Sequence, residues 1–342
     1  MPAPVALRPD NFTPPARTPW GGTRLLARYK PGVVTPYALV GESWEVSVEP
    51  TFPSLTRSGE RLDTCVARDP VAWLGEEDAA RFAGQTPLLV KLLDAADNLS
   101  VQVHPADDDP SLAPDESGKP ESWVVLDAEP GAGLYLGFRE GVGRDDVARL
   151  LAENGRIDAL MNFVPVRTGD AFVIDAGTPH AIGAGVTLLE PQFVRPGRRG
   201  LTYRYWDWNR RYDAAGNLDP RGALRPLHVA RSLDVTRWDR GGGDGFVARC
   251  RATEDVLERG AVERRRVVSW SWFQVERWVG MGRLVVETEE RLLALTCVGG
   301  RLEVACERGS LTLGLGESAL VPACAGRLAV DLSEGDVFAV RT

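Results

Sequence analysis

Apolar and polar positions alternate in short runs along most of the chain, and glycines and prolines separate the runs. That rhythm predicts many short strands joined by tight turns. Leu99-Ser-Val-Gln-Val-His104 alternates strictly, so Gln102 and His104 share one strand face while Val101 and Val103 share the other. Pro87 to Leu93 is an apolar strand interrupted by Lys91, and Ser122 to Leu126 is another strand. Strands are predicted again over Gly169 to Ile174, Gly185 to Leu189 and Leu201 to Trp206. Two segments read as helix. Asp69-Pro70 supplies an N-cap and a proline at the first helical position, which predicts a short helix over 69–83. Val147, Leu150, Leu151, Ile157, Leu160 and Met161 follow helical spacing over 145–161, where Gly155 splits the pattern. Residues 1–50 read as irregular extended segments, and 209–226 as a loop rich in Gly, Asp and Arg.

Gly241-Gly-Gly-Asp-Gly reads as a linker, and 246–342 as strands almost throughout, so the chain divides near residue 240. The two parts share a faint echo. Gly169-Asp-Ala-Phe-Val-Ile and Gly316-Glu-Ser-Ala-Leu-Val are each a glycine turn, an acidic residue and a buried strand. Only the first continues to a histidine, His180. A duplicated β-barrel whose second copy is blank fits this pattern.

Composition narrows the function classes. The 342 residues carry a formal net charge of -8, which argues against a nucleic-acid partner held by bulk electrostatics. No apolar stretch approaches the ~18 residues needed to span a bilayer, so no membrane partner is expected. Met1 to Pro15 has no apolar core and is not expected to be a signal peptide. Five cysteines form no C-x-x-C pair, which points to reduced thiols in the cytoplasm. The basic residues are lopsided: Lys30, Lys91 and Lys119 are the only lysines among 40 Lys and Arg. Such a chain places an ammonium where a guanidinium does not serve, unless genomic base composition alone set the bias.

Candidate chemistry centres on two of the three histidines. Gln102 and His104 lie on one strand face, Glu121 opens a following strand, and His180 ends the Gly169 strand. Neutral imidazoles and a carboxylate around an open position suit a divalent ion such as Zn²⁺. Buried histidines bonded to backbone are the structural alternative. His228 reads as a packing or hydrogen-bonding residue, and Asp107-Asp-Asp109 as a solvated loop. Tyr203 and Trp206 are candidate ligand-stacking rings, whereas the other tryptophan-rich stretches read as core.

The ligand spacing resembles the cupin double motif, with Gln102 in place of the first histidine and Asp175 where proline is usual. Longer words are more specific. Gly41-Glu-Ser-Trp-Glu-Val-Ser, Pro87-Leu-Leu-Val-Lys-Leu-Leu-Asp-Ala and Leu99-Ser-Val-Gln-Val-His-Pro resemble type I phosphomannose isomerases. So do Gly118-Lys-Pro-Glu-Ser-Trp-Val-Val-Leu-Asp-Ala-Glu-Pro-Gly, Gly177-Thr-Pro-His-Ala-Ile-Gly and Thr202-Tyr-Arg-Tyr-Trp-Asp-Trp-Asn-Arg. These words fall in the family's order, in its short bacterial form, over roughly residues 18–235.

The resemblance implies a mainly β fold of two jelly-roll-like cupin barrels with a small helical insertion. Residues 1–240 would form the metal-binding catalytic unit and 241–342 a degenerate unit without metal ligands. It implies one zinc per chain on Gln102, His104, Glu121 and His180, and a catalytic arginine at Arg204. The expected reaction interconverts mannose 6-phosphate and fructose 6-phosphate through an enediol. That chemistry needs a base, a group to stabilise an oxyanion, and anchors for phosphate. Both well-placed histidines are taken by the metal, so Glu190 is the candidate base. Lys91, Lys119 and Arg204 are candidate contacts to phosphate or sugar hydroxyls, with Lys91 also close to the catalytic set. A structural Lys91, snorkelling from a strand edge, is the plainer alternative. The basic link Pro191-Gln-Phe-Val-Arg-Pro-Gly-Arg-Arg-Gly is longer than the family pattern. The rival classes are a non-catalytic cupin that binds a carbohydrate or metabolite, and a cupin oxygenase, which would want more imidazoles than two.

Overall fold

The computed structural model describes residues 1–342, and the chain is mainly β, as the alternation predicts. Two five-stranded antiparallel sheets build the part that carries the candidate site. The first orders its strands Glu42–Val46, Leu88–Ala95, Val186–Phe193, Glu121–Ala128 and Ala171–Ile174. The second orders Tyr203–Trp206, Val101–Val103, His180–Ile182, Gly133–Phe138 and Met161–Pro165. Leu88–Ala95 is buried along its whole length because a neighbouring strand pairs with it on each edge. Leu93, Trp123 and Leu188 from the first sheet share one core with Leu134, Leu136 and Ile182 from the second. The site forms where this apolar core gives way to polar side chains.

The C-terminal part is an eight-stranded sheet dominated by three long strands, Gln274–Glu287, Leu293–Cys306 and Arg327–Arg341. Its strands enclose their own core around Trp278, Leu302 and Val330. The N-terminus joins this sheet, since Val5 and Ala6 pair with Leu320 and Ala319. A second tie is buried. Lys30 Nζ lies 2.6 Å from Glu45 Oε1, and Ser318 Oγ, from the C-terminal sheet, donates to Glu45 Oε2 at 2.7 Å. All three sheets are open, with two free ends in each strand order, so the mainly β expectation holds without a closed barrel. No helix is long and apolar enough to cross a membrane. All five cysteines are free thiols.

The helical expectations need correction in detail. The 69–83 helix is two, Pro70–Leu74 and Glu76–Arg81, broken at Gly75, whose φ of 82° lies outside helical space. Its predicted cap is present, with the Asp69 side chain accepting from the Ala72 N–H at 3.2 Å. The 145–161 pattern resolves into a helix over Arg144–Ala152 and a 3₁₀ turn over Ile157–Leu160, and Met161 begins a strand. Residues 1–50 also hold a helical turn, Leu25–Tyr29, and 209–226 contains a small hairpin of Arg211–Tyr212 with Ala223–Leu224.

The glycine run at 241–245 is not a linker. It starts a helix, Gly243–Cys250, whose Phe246, Val247 and Cys250 are buried in the core of the first two sheets. Gly242 is required by closeness rather than flexibility: a Cβ there would sit 2.6 Å from the Phe138 carbonyl oxygen. The apolar i, i+1, i+4 set of Phe246, Val247 and Cys250 was the helical signal that the glycines masked.

Candidate active site

Register in the two sheets gathers the polar residues. In the second sheet His180 pairs with Gln102, and Gln102 pairs on its other edge with Arg204. In the first sheet Lys91 lies between Trp44 and Glu190, while Gln192 pairs with both Leu89 and Glu121. Residues two apart on a strand share a face, so Glu42 with Trp44, and Glu190 with Gln192, point the same way. The two faces meet at His104, Glu121 and His180, whose potential ligand atoms lie within 4.8 Å of one another, all buried.

Hydrogen bonds behind the imidazoles fix their tautomers. His104 Nδ1 lies 2.9 Å from the Leu201 carbonyl and His180 Nδ1 lies 2.8 Å from that of Thr178. A carbonyl only accepts, so each Nδ1 carries the hydrogen and each Nε2 presents a lone pair. Those lone pairs face Glu121, with His104 Nε2 3.2 Å from Oε2 and His180 Nε2 3.3 Å from Oε1. Burial, then the neighbouring Lys119, pushes the His104 pKa down to about 4, which keeps the ring neutral. Burial opposes the charge on Glu121, and the neighbouring Lys119 ammonium favours it. Three acceptor groups therefore point at one another. His104 Nε2 and Glu121 Oε1 have no hydrogen-bond partner. This donor set fits a divalent cation. The Gln102 amide stands next to it, 3.3 Å from His180 Nε2.

A second polar group adjoins the first. Glu190 accepts from Trp123 Nε1 at 3.0 Å and from Gln192 Nε2 at 2.9 Å, and Lys91 Nζ lies 3.2 Å away. Burial, then the charge on Glu121, raises the Glu190 pKa to about 7 against the pull of Lys91. Gln192 bridges the two groups by also donating to Glu121 at 2.6 Å. Burial opposes the charge on Lys91, yet Glu42 and Glu190 outweigh it and raise its pKa. Lys119, 3.8 Å from Glu121, goes the other way, lowered by burial and by Lys91.

Glu190 and Lys91, with Gln102 and Gln192 beside the first group, border a cleft of about 380 Å³, of a size to hold a small molecule, and His104, Glu121 and His180 lie behind that lining. Gln102, Lys91, Lys119, Glu190 and Arg204 line it. Arg195, Arg198 and Arg199 of the basic link also line it, although Arg195 and Arg199 are paired with Asp107 and Glu116. That pairing corrects the reading of 107–109 as a solvated loop. Asp107 is largely buried and also accepts from Ser117 Oγ and the Gly118 N–H, both at 3.1 Å, so it braces the turn before Lys119. Trp206 is buried beside Trp208, and neither it nor Tyr203 lines the cleft. The indoles that do are Trp20 and Trp44. Trp44 carries Lys91 Nζ over its ring at 4.8 Å and donates to Glu42 at 2.7 Å. Glu42, Trp44, Gln192 and Arg225 were not singled out from sequence. Period-two spacing from Glu190 could have found Gln192, and the first two lie within a quoted word.

A cleft lined by Lys91, Lys119 and Arg204 adjoins a buried His₂-carboxylate set carried on antiparallel sheets. The family model for the type I phosphomannose isomerase catalytic domain matches residues 17–130. A mannose-6-phosphate isomerase of Streptococcus mutans is 31% identical over 305 residues, 88% of this chain and 85% of its own. The chain belongs to the type I phosphomannose isomerase family. Its fold agrees, since the crystal structure of the Bacillus subtilis mannose 6-phosphate isomerase superposes with a TM-score of 0.79 at 23% identity, covering 100% of both chains. A zinc-bound holo mannose 6-phosphate isomerase superposes at 0.72 with 19% identity, again covering 100% of both.

Proposed function

We propose that the chain interconverts mannose 6-phosphate and fructose 6-phosphate in the cytoplasm, with one zinc ion per chain held by His104, Glu121 and His180 beside Gln102. The carrying observation is the set of buried acceptors that face one another, with His104 Nε2 and Glu121 Oε1 left without a hydrogen-bond partner. Lone pairs so placed repel, and a cation relieves them. Zinc bound there would polarise the sugar oxygens as a Lewis acid.

The remaining chemistry belongs to side chains. Glu190, with its pKa near working pH, removes the C2 proton of the open-chain aldose. The C–H electron pair becomes the C1–C2 double bond and the carbonyl oxygen at C1 takes the negative charge. Arg204 holds that charge, being protonated at any working pH. Glu190 returns the proton to C1, and the O2 proton passes to O1, which leaves a ketone at C2. Lys91 keeps Glu190 oriented, and Lys91, Lys119 and Arg204 form the cationic lining that receives the phosphosugar. We also read the architecture as two cupin-like units, the second without metal ligands. In support, the C-terminal sheet wraps a core of its own.

A coupled assay with mannose 6-phosphate, before and after chelation, tests the reading. Turnover that chelation abolishes and zinc restores is the expected result. Arg204→Ala should lower kcat by about 10²-fold or more with metal content unchanged, the scale of a lost oxyanion donor. Tight phosphosugar binding without turnover in the zinc-loaded protein would favour the non-catalytic binder instead.

A further inference from the structure

Cations along the cleft differ in what already neutralises them. Lys91 lies 3.2 Å from Glu190 and 3.9 Å from Glu42, and Lys119 lies 3.8 Å from Glu121. Arg195 and Arg199 are paired with carboxylates outside the cleft floor. Arg17 lies over the Trp44 ring and Arg198 donates to the Glu116 carbonyl, neither with a carboxylate partner, and Arg204 and Arg225 also lack a close one. Arg204 forms no ion pair, and its Nε is buried without a hydrogen-bond partner. Arg225 reaches only Asp207, at 3.8 Å. That carboxylate is already engaged, since Oδ1 accepts from Arg210 and Oδ2 accepts from the Tyr212 hydroxyl at 2.8 Å. The Arg225 guanidinium lies over the Tyr212 ring, 4.9 Å from its centroid, which orients the group without cancelling its charge. Burial and the proximity of Arg225 both lower the Arg204 pKa, as two like charges with too few counter-ions require.

Their place in the fold is as telling as their charge. His180, Gln102 and Arg204 occupy paired positions on three successive strands, each step about 4.8 Å. Along the outer edge of the third strand the His228 N–H donates to the Arg204 carbonyl at 2.8 Å, and the Arg204 N–H donates to His228 Nδ1 at 3.2 Å. The segment carrying Arg225 thus flanks Arg204 on the side away from the imidazoles. The row runs from metal-ligand candidates, through an amide and a guanidinium, to a second guanidinium.

We infer that Arg225 is a specificity-determining residue that receives the phosphate dianion beyond Arg204, at the end of the cleft remote from His104, Glu121 and His180. This rests on the phosphosugar reading above and assigns the direction in which that sugar lies. The Arg225 guanidinium fork matches phosphate oxygens in a way that a lone ammonium does not, and a dianion there offsets its repulsion of Arg204, which stays free to hold charge at O1. C1 and C2, at the opposite end of the carbon chain from the phosphate, then fall beside the imidazoles and Glu190.

The test is steady-state kinetics of the zinc-loaded wild type, Arg225→Ala and Arg225→Lys on mannose 6-phosphate and on mannose. Inorganic phosphate serves as a competing anion, and thermal melts run alongside. Arg225→Ala should lower the kcat/KM ratio of phosphorylated over free sugar by about tenfold, the worth of one charge-assisted hydrogen bond. The loss should fall mainly on KM, and phosphate should inhibit about tenfold less well. Arg225→Lys should recover part of both. An unchanged ratio and unchanged phosphate inhibition in either folded variant would overturn the assignment. Should the wild type turn over neither sugar, the isomerase reading fails by itself. Phosphate affinity by calorimetry then decides the anion site separately: a tenfold loss in Arg225→Ala supports it and equal affinity refutes it.

Discussion

Glu190 in the cleft and Glu276 in the C-terminal sheet are two buried glutamates in nearly the same setting. Each sits on a strand and accepts a hydrogen bond from an indole N–H at 3.0 Å, Trp123 for Glu190 and Trp278 for Glu276. They part at the cation. Glu276 meets the two-pronged Arg264 at 2.6 and 2.9 Å, with Arg341 at 3.7 Å. Burial opposes its charge, but Arg264 and Trp278 outweigh it and hold its pKa below the usual value. Glu190 meets one ammonium, Lys91, which it shares with Glu42. There burial and Glu121 win, and the pKa rises to about 7. A guanidinium fork turns a buried carboxylate into a strut, while a shared lysine leaves it able to take a proton.

The comparison breaks most visibly through turnover. Glu190→Gln keeps the size of the side chain and one accepting oxygen but cannot accept the C2 proton. It should lower kcat by about 10²- to 10⁴-fold, the range for a lost general base. A variant within tenfold of the wild type would move Glu190 from the chemistry to the scaffold.

The mirror substitution should act on stability instead. Glu276→Gln leaves Arg264 without its anion inside the sheet, which costs about 3 kcal/mol on the scale of broken buried pairs. Chemical denaturation should show that loss, while kcat of the folded fraction stays at the wild-type value. A large fall in kcat would mean that the C-terminal sheet reaches the chemistry.

The smallest effect lies in the pH dependence of melting, and its sign differs between the two residues. The folded pKa of Glu190 is raised above its ordinary 4.5 to about 7, so the native state binds more protons than the unfolded chain across that window. Stability from this group therefore falls as pH rises through it. Glu276 has a lowered folded pKa, so its contribution is present above the ordinary 4.5 and is lost as pH falls through the lower folded value. In metal-free protein, Glu190→Gln should gain on the wild type in melting temperature from pH 5 to 7. The deficit of Glu276→Gln should shrink below pH 4.5. Parallel curves for all three proteins would remove the distinction.

Much of the site lay open in the sequence because strand alternation fixes which side chains share a face. Gln102 with His104, and the placing of Lys91, Glu121, His180, Glu190 and Arg204, needed only period-two spacing and the family words. The sequence was least informative where function depends on long-range approach. Nothing local marks Arg225, which matters because Tyr212 supports it and Asp207 is already occupied. The glycines at 241–245 looked like a flexible joint, yet Gly242 admits a carbonyl where no side chain fits. Trp206 stays open in the sequence as a sugar-stacking ring although aromatic stretches are usually core, and its packing against Trp208 buries it.

The three lysines carry a consequence for labelling the molecule. Lys30 is sealed against Glu45, Lys91 is 6% exposed, and Lys119 is 12% exposed within the cleft. The outer surface is thus coated with guanidinium groups and bears no lysine amine. Reagents that acylate amines, lysine-directed crosslinkers and lysine-specific proteases all find the side chains they need withdrawn from the folded exterior. Lysine acylation of the native protein therefore reports access to the cleft floor, and a bound ligand should protect the same two amines that hold the carboxylates in place.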